Sequence, residues 1–125
     1  MTQATDDDEF FWAAAGERRL VVQGCGACGV LRHPPSPLCR SCGSADRVAV
    51  EVSGRGRLYS WTLPRHPILQ PGPVRIAALV HLDEGPRLVT ALEGAELDDL
   101  ALDAPVEVDF AEVGGRLVPV FRLVA

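Results

Sequence analysis

Apolar residues come in short bursts along the first part of the chain and alternate with polar residues along the rest. Phe10-Phe11-Trp12 runs into Ala13-Ala14-Ala15 and stops at Gly16, behind the acidic run Asp6-Asp7-Asp8-Glu9. Acidic residues complement the positive end of a helix, alanines favour it, and glycine can end it. A short helix is therefore predicted over 6–16. Three adjacent aromatics cannot share one side of a helix. Either a second surface of the same chain covers them, or they form an arm that packs on a partner. Leu20-Val21-Val22-Gln23 reads as a short strand and Val30-Leu31-Arg32-His33 as another, with Pro34, Pro35 and Pro37 turning the chain afterwards.

From Val48 onward the period becomes two. Residues 48–52 form a strand, Ser53-Gly54-Arg55-Gly56-Arg57 bends the chain, and Leu58-Tyr59-Ser60-Trp61-Thr62-Leu63 alternates again. A proline-punctuated loop over 64–73 precedes a nearly continuous apolar strand over 74–82. Asp83-Glu84-Gly85-Pro86 turns it back into 87–92, and 95–102 reads as a loop or single helical turn. Val106, Val108 and Phe110 alternate with Glu107 and Asp109, a strand with one buried face. Gly114-Gly115 predicts a hairpin. Pro119 places the last strand, 118–123, at an edge or at the end of a ladder. Strands with glycine bends and one longer connection fit a small closed barrel of the OB type.

Cys25-Gly26-Ala27-Cys28-Gly29 and Cys39-Arg40-Ser41-Cys42-Gly43 contain all four cysteines, as two C-x-x-C pairs with ten residues between them. Two residues between cysteines let both sulfurs of one turn face a single ion. Two such turns supply the four thiolates of a closed tetrahedral zinc site. The glycine after each pair can take positive φ, and backbone N–H groups of the knuckle can then face the sulfurs. Cys25, Cys28, Cys39 and Cys42 are the predicted ligands of a structural Zn2+, one per chain. A redox C-x-x-C belongs at a helix start behind a strand, and neither pair has a helical pattern after it. Two disulfides would need an oxidising compartment, to which nothing in the chain directs it. His33 is expected on the surface of the hairpin between the pairs, because four thiolates already complete the set.

Strand, knuckle, strand, proline loop, knuckle is the order of a zinc ribbon, a unit with too little core to fold without its metal. The predicted fold is mainly β: an N-terminal helical arm over 1–19, a rubredoxin-like zinc ribbon over 20–47, and a five-stranded OB-fold barrel over 48–125.

A hydrophobic fraction of 47% and a mean hydropathy of +0.12 over 125 residues describe one folded domain, or a small module attached to one. No apolar run nears the about 20 residues of a membrane span, and the acidic start is the reverse of a signal peptide. A cytoplasmic location without membrane contact is expected. The net charge of −5 counts against a general nucleic-acid binder, whose affinity comes from neutralising phosphates. All twelve basic residues are arginine, which removes Schiff-base lysine chemistry from this chain.

No G-x-S-x-G elbow, P-loop or H-E-x-x-H is present. His81, on an apolar strand, is expected to line the core or barrel with a satisfied hydrogen bond, and His66 to be exposed in the proline loop. Asp83-Glu84 and Asp98-Asp99 read as solvated loop acids. A catalytic zinc needs an open coordination position, which four cysteines close. No catalytic residue is assigned. One alternative stays open: zinc ribbons and OB barrels both occur in single-stranded nucleic-acid binders. Tyr59 and Trp61 with nearby arginines (Arg55, Arg57, Arg65, Arg75) could form a stacking surface.

The order of motifs resembles the DUF35 family of acyl-CoA-associated zinc-ribbon and OB-fold proteins. The likeness runs from Phe11-Trp12 through Gly16-Glu17-Arg18-Arg19-Leu20 into the two knuckles. It continues through Ser53-Gly54-Arg55-Gly56, Tyr59-Ser60-Trp61-Thr62, Leu82-Asp83-Glu84-Gly85 and Pro105-Val106-Glu107-Val108 to Pro119-Val120-Phe121-Arg122. The resemblance implies a non-catalytic partner of thiolase-superfamily enzymes, among them thiolases and lipid-transfer-protein-like aldolases of steroid side-chain degradation. Such a subunit binds the thiolase-like enzyme in a hetero-oligomer, sometimes joins it to a hydratase, and helps form the acyl-CoA site at their interface. Only the four cysteines carry over as residues with an assigned role.

Overall fold

The period-two pattern closes a barrel, and the short apolar bursts build a smaller sheet beside it. The computed structural model describes residues 9–63 and 76–124. The start of the predicted helix, the proline loop with His66, and Arg65 and Arg75 lie outside the described residues. Helix α1 (Glu9–Gly16) is followed by β1 (Val21–Cys25), β2 (Leu31–Arg32) and β3 (Arg47–Glu51). Then come β4 (Arg55–Thr62), β5 (Ile76–Leu82), β6 (Arg87–Leu92), a 3₁₀ turn (Leu97–Asp99), β7 (Pro105–Val113) and β8 (Arg116–Leu123).

Strands β4–β8 form a closed barrel in the order β4-β5-β6-β8-β7, with β4 also paired to β7. All pairings are antiparallel except β6 with β8, which meet in parallel at Leu92 and Phe121. Alternation decides what fills the interior: Ile76, Ala78, Val80 and Leu82 of β5 are buried between half-exposed neighbours. Leu58, Leu88, Val106 and Phe121 join them in one core. Phe121 is fully buried, and a residue of that size contributes roughly 1.5–3 kcal/mol by leaving water. Gly114-Gly115 makes the predicted hairpin, closing the pair Val113 and Arg116. Pro119 pairs with Phe110 on β7, while the other side of β8 meets β6 at the single pair given above. The missing N–H is tolerated there.

One strand breaks its own alternation. Leu58 pairs with Val80, but Ser60 pairs with Leu79 and Trp61 with Ala78. Tyr59 is the extra residue of a β-bulge, which shifts the phase of the rest of β4. Leu58 and Trp61 both pack against the core, and Tyr59 is left outside, 45% exposed.

The smaller sheet has the order β2-β1-β3. Strand β3 opens the segment assigned from sequence to the barrel, yet it pairs with β1 along its whole length, from Val21 with Glu51 to Cys25 with Arg47. Helix α1 packs on both β1 and β8 and so covers the seam between sheet and barrel. Two surfaces accommodate three adjacent aromatics. Phe11 is buried, and Phe10 and Trp12 are half-buried against the same core, with the Trp12 ring edge-on to Phe11 at 5.0 Å. The aromatic run docks on its own chain rather than projecting as a free arm.

Candidate metal centre

The first knuckle is a tight turn at the end of β1 and the second lies in the loop between β2 and β3, yet the two are built from the same hydrogen bonds. In the first, Gly29 N–H donates to the Cys25 carbonyl at 2.9 Å and Cys25 N–H to the Val30 carbonyl at 2.9 Å. In the second, Gly43 N–H donates to the Cys39 carbonyl at 2.8 Å and Cys39 N–H to the Ser44 carbonyl at 2.9 Å. Gly29 and Gly43 take φ of 81° and 76°, the left-handed conformation expected of them. Gly26 N–H donates to the Asp46 carbonyl at 3.0 Å, tying the first knuckle to the strand that leaves the second.

This duplication brings the four sulfurs of Cys25, Cys28, Cys39 and Cys42 within 4.8 Å of one another. Cys25 Sγ lies 3.5 Å from Cys42 Sγ, and Cys28 Sγ lies 3.6 Å from Cys39 Sγ. These gaps are far longer than an S–S bond of about 2.05 Å, so the cysteines are free thiols. They approach the edge of about 3.8 Å that four sulfurs have around an ion at about 2.3 Å. Cys25 and Cys39 are buried at the sheet, while Cys28 and Cys42 stand at the exposed tip.

Ala27 and Cys28 N–H groups both point at Cys25 Sγ, at 3.4 Å each. Those of Cys28 and Ala27 pull the Cys25 thiol down to about 6. The N–H groups of Cys42 and Ser41 lower Cys39 in the same way. Cys42 receives the Ser44 N–H, yet its neighbour Cys25, loss of water, and the other two sulfurs push it up to about 12. Cys28 also rises, the Val30 N–H being outweighed by desolvation and by Cys39 and Cys25. In each knuckle the backbone lowers the first thiol, while desolvation and neighbouring sulfurs raise the second. A bound dication would let all four ionise, so the donor set, spacing and backbone dipoles fit a soft divalent metal such as zinc. The cluster can hold an ion in a closed tetrahedron.

Around the centre lies a polar node that no sequence motif marks. Gln23 is only 1% exposed, and its Oε1 accepts the Ser36 N–H at 2.8 Å and the Arg32 Nε–H. Arg32 Nη2 donates to the Ser36 carbonyl at 3.1 Å. These bonds fasten the proline loop to the central strand and set the second knuckle opposite the first. The one signal for it is a lone glutamine inside the apolar burst Val21-Val22-Gln23.

Two histidines depart from expectation. His33 is half-buried rather than on the surface, with its ring 5.1 Å from that of Phe11, and burial pulls its pKa below the usual value. It is not part of the sulfur cluster. His81 faces out of the barrel, because Val80 and Leu82 on either side take the inward positions. It is half-exposed, 6.5 Å from the Tyr59 ring, and makes no side-chain hydrogen bond among the described residues. The bulge separates Tyr59 from Trp61, and the guanidinium of Arg87 lies over the Tyr59 ring at 4.1 Å. Tyr59 is thus exposed while Trp61 packs against the core, so the two rings do not share one face of β4. Among the described residues no helix is long and apolar enough to cross a membrane.

Ribbon and barrel together define a zinc-ribbon and OB-fold protein. Residues 12–47 match the family model described as the rubredoxin-like zinc ribbon domain of ChsH2, and residues 49–111 match that of the ChsH2 C-terminal OB-fold domain. The chain belongs to the DUF35/ChsH2 family. It is 46% identical over 121 residues to a probable enoyl-CoA hydratase alpha subunit of Thermomonospora curvata, covering 93% of this chain and 37% of that protein. Over 107 residues it is 34% identical to a 3-oxo-4,17-pregnadiene-20-carboxyl-CoA hydratase alpha subunit of Mycobacterium tuberculosis, covering 85% of this chain and 34% of that protein. The chain thus spans little more than a third of the length of these curated relatives. Among solved structures it resembles a chain of the Ltp2-ChsH2(DUF35) aldolase, with a TM-score of 0.87, 42% identity and 98% of both chains covered. These relatives are CoA hydratase subunits and an aldolase chain, and the family identity is consistent with an adaptor role.

Proposed function

We propose that this chain is a non-catalytic accessory subunit that binds a thiolase-superfamily enzyme, of the thiolase or lipid-transfer-protein-like aldolase kind, and supports its acyl-CoA site. The observation that carries the reading is its likeness over 98% of its length to a chain of the Ltp2-ChsH2(DUF35) aldolase. The hydratase relatives support CoA thioesters as the substrates of the assembly, and the relative from Mycobacterium tuberculosis supports the steroid side-chain type among them. A hydratase is a second partner of the same assembly in this reading.

The chain's own residues have a mechanical task. Cys25, Cys28, Cys39 and Cys42 hold a structural zinc ion, which supplies folding free energy and leaves no coordination position for substrate. The mirrored knuckles and the Gln23 node fix the ribbon, and α1 clamps it to the barrel. The result is a rigid surface that an enzyme can bind without the entropic cost of ordering it. Reduced thiols ready for metal agree with a cytoplasmic site of action.

Co-expression with the Ltp2-type thiolase-like enzyme, followed by native mass measurement and assay of that enzyme with and without this chain, tests the proposal. A stable hetero-oligomer, with loss of solubility or turnover when the chain is omitted, is expected. An enzyme fully active alone and no complex would sink it.

A further inference from the structure

Among the described residues, the outer wall of the barrel carries two arginines without a carboxylate partner, in one row with a histidine. Arg57 pairs with His81 across β4 and β5, and His81 pairs with Arg87 across β5 and β6. Residues opposite one another point to the same side of a sheet. The row therefore crosses three strands, with the two arginines two strand spacings, or about 10 Å, apart. Among the described residues neither arginine has a carboxylate partner. Arg57 Nη1 donates to the Asp103 carbonyl at 3.1 Å, and Arg87 lies on the Tyr59 ring. Although the chain has a net charge of −5, none of its described acids is spent on offsetting these arginines.

The neighbouring row is Ser60, Leu79 and Val89, apolar on its two β5 and β6 members. Leu79 pairs with Val89, which is 76% exposed, and the bulge lifts Tyr59 out beside them. Exposed aliphatic and aromatic area bordered by arginine is the composition of a protein interface rather than of a solvated wall. We propose that this face is the docking surface for the acyl-CoA enzyme that the chain accompanies. It would take an aliphatic patch of that enzyme flanked by carboxylates that pair with Arg57 and Arg87. The inference rests on the accessory-subunit reading and adds where the enzyme binds. Charge complementarity selects an acidic protein surface. A nucleic-acid strand is disfavoured because Arg87 already covers one face of the Tyr59 ring and Val89 offers a base no stacking plane.

The test measures binding of the Ltp2 chain of the related aldolase to wild type, to the double variant Arg57→Glu/Arg87→Glu, to Val89→Asp and to the ribbon control Arg40→Glu. Zinc content and thermal unfolding confirm that each variant is folded. The expected result is at least tenfold weaker binding for the double variant and for Val89→Asp, with Arg40→Glu unchanged. A wild-type complex that both face variants retain within twofold overturns the docking face and leaves the functional reading standing. No complex with wild type overturns both. Variants that lose affinity only for a single-stranded oligonucleotide, while still binding Ltp2, also overturn the face.

Discussion

The ring of His33 lies 5.1 Å from the ring of Phe11, joining the loop between the two knuckles to the N-terminal helix. The contact costs the imidazole part of its water, and burial lowers its pKa from the usual value. His33 Nδ1 has no partner among the described residues, so the neutral ring is favoured without compensation for a charge.

This burial makes stability depend on pH. The unfolded chain takes up a proton on His33 near pH 6.5 and the folded chain only at lower pH. Stability from this group is complete above the unfolded value and declines as pH falls from there through the depressed folded value. Replacing His33→Phe is expected to flatten the stability curve across that window. Urea midpoints of wild type and variant at matched pH, with zinc present for both, would show it. Parallel curves would rule out His33 as the source.

Metal removal is expected to act on the ribbon first. Zinc analysis should find one ion per chain, the ratio one four-cysteine cluster holds. Cys39→Ser, at a buried ligand, should abolish that stoichiometry at ordinary zinc concentrations. Metal binding supplies on the order of 10–16 kcal/mol in small zinc peptides. Amide exchange should therefore accelerate in β1–β3 of the variant, or after chelation, well before it does in the barrel. Uniform protection in both halves would contradict a structural ion.

Gly54 tests the join between the sheets. It sits at φ 80°, and a Cβ there would fall 2.3 Å from Val108 Cγ1. Gly54→Ala is expected to cost about 2–4 kcal/mol, from left-handed strain together with overpacking. In a Val108→Ala background the cost should shrink by about 1 kcal/mol or more, since the 2.3 Å contact is then removed, while the tight approach to the residue 108 Cβ at 3.1 Å and the strain remain. Chemical denaturation of the four chains in this cycle gives the answer directly.

Phe11→Ala should cost about 3–5 kcal/mol, the range for a buried phenylalanine. Trp12→Ala, at a half-buried position, should cost less. If Phe11 instead served a partner, truncation would leave the isolated chain's thermal unfolding unchanged and reduce only complex formation. Calorimetry of the free chain separates these outcomes.

Local rules make much of the molecule legible from residues in order. The spacing within each C-x-x-C pair sets local turn geometry, so the four cysteines of the cluster can be named as candidate ligands before any fold is known. Alternation along β5 and β7, Gly114-Gly115 and the acidic turn after Leu82 likewise express short-range rules, because side chains on a strand alternate whatever the strand pairs with. His33 and His81 escape such rules for one shared reason. Exposure depends on what covers a residue, and the covering elements, α1 and the barrel wall, come from elsewhere in the chain.

The sequence by itself determined the four cysteines of the cluster, the strand-rich barrel and the order of ribbon before barrel, all properties of neighbouring residues. Tertiary structure alone decided that β3 joins β1, that the bulge at Tyr59 turns Trp61 inward, and that α1 covers its own aromatics. It also aligned Arg57, His81 and Arg87 into one row. Those outcomes depend on which distant strands pair and in what register. A period of two specifies that a strand has two faces, but not which neighbour each face or edge will meet.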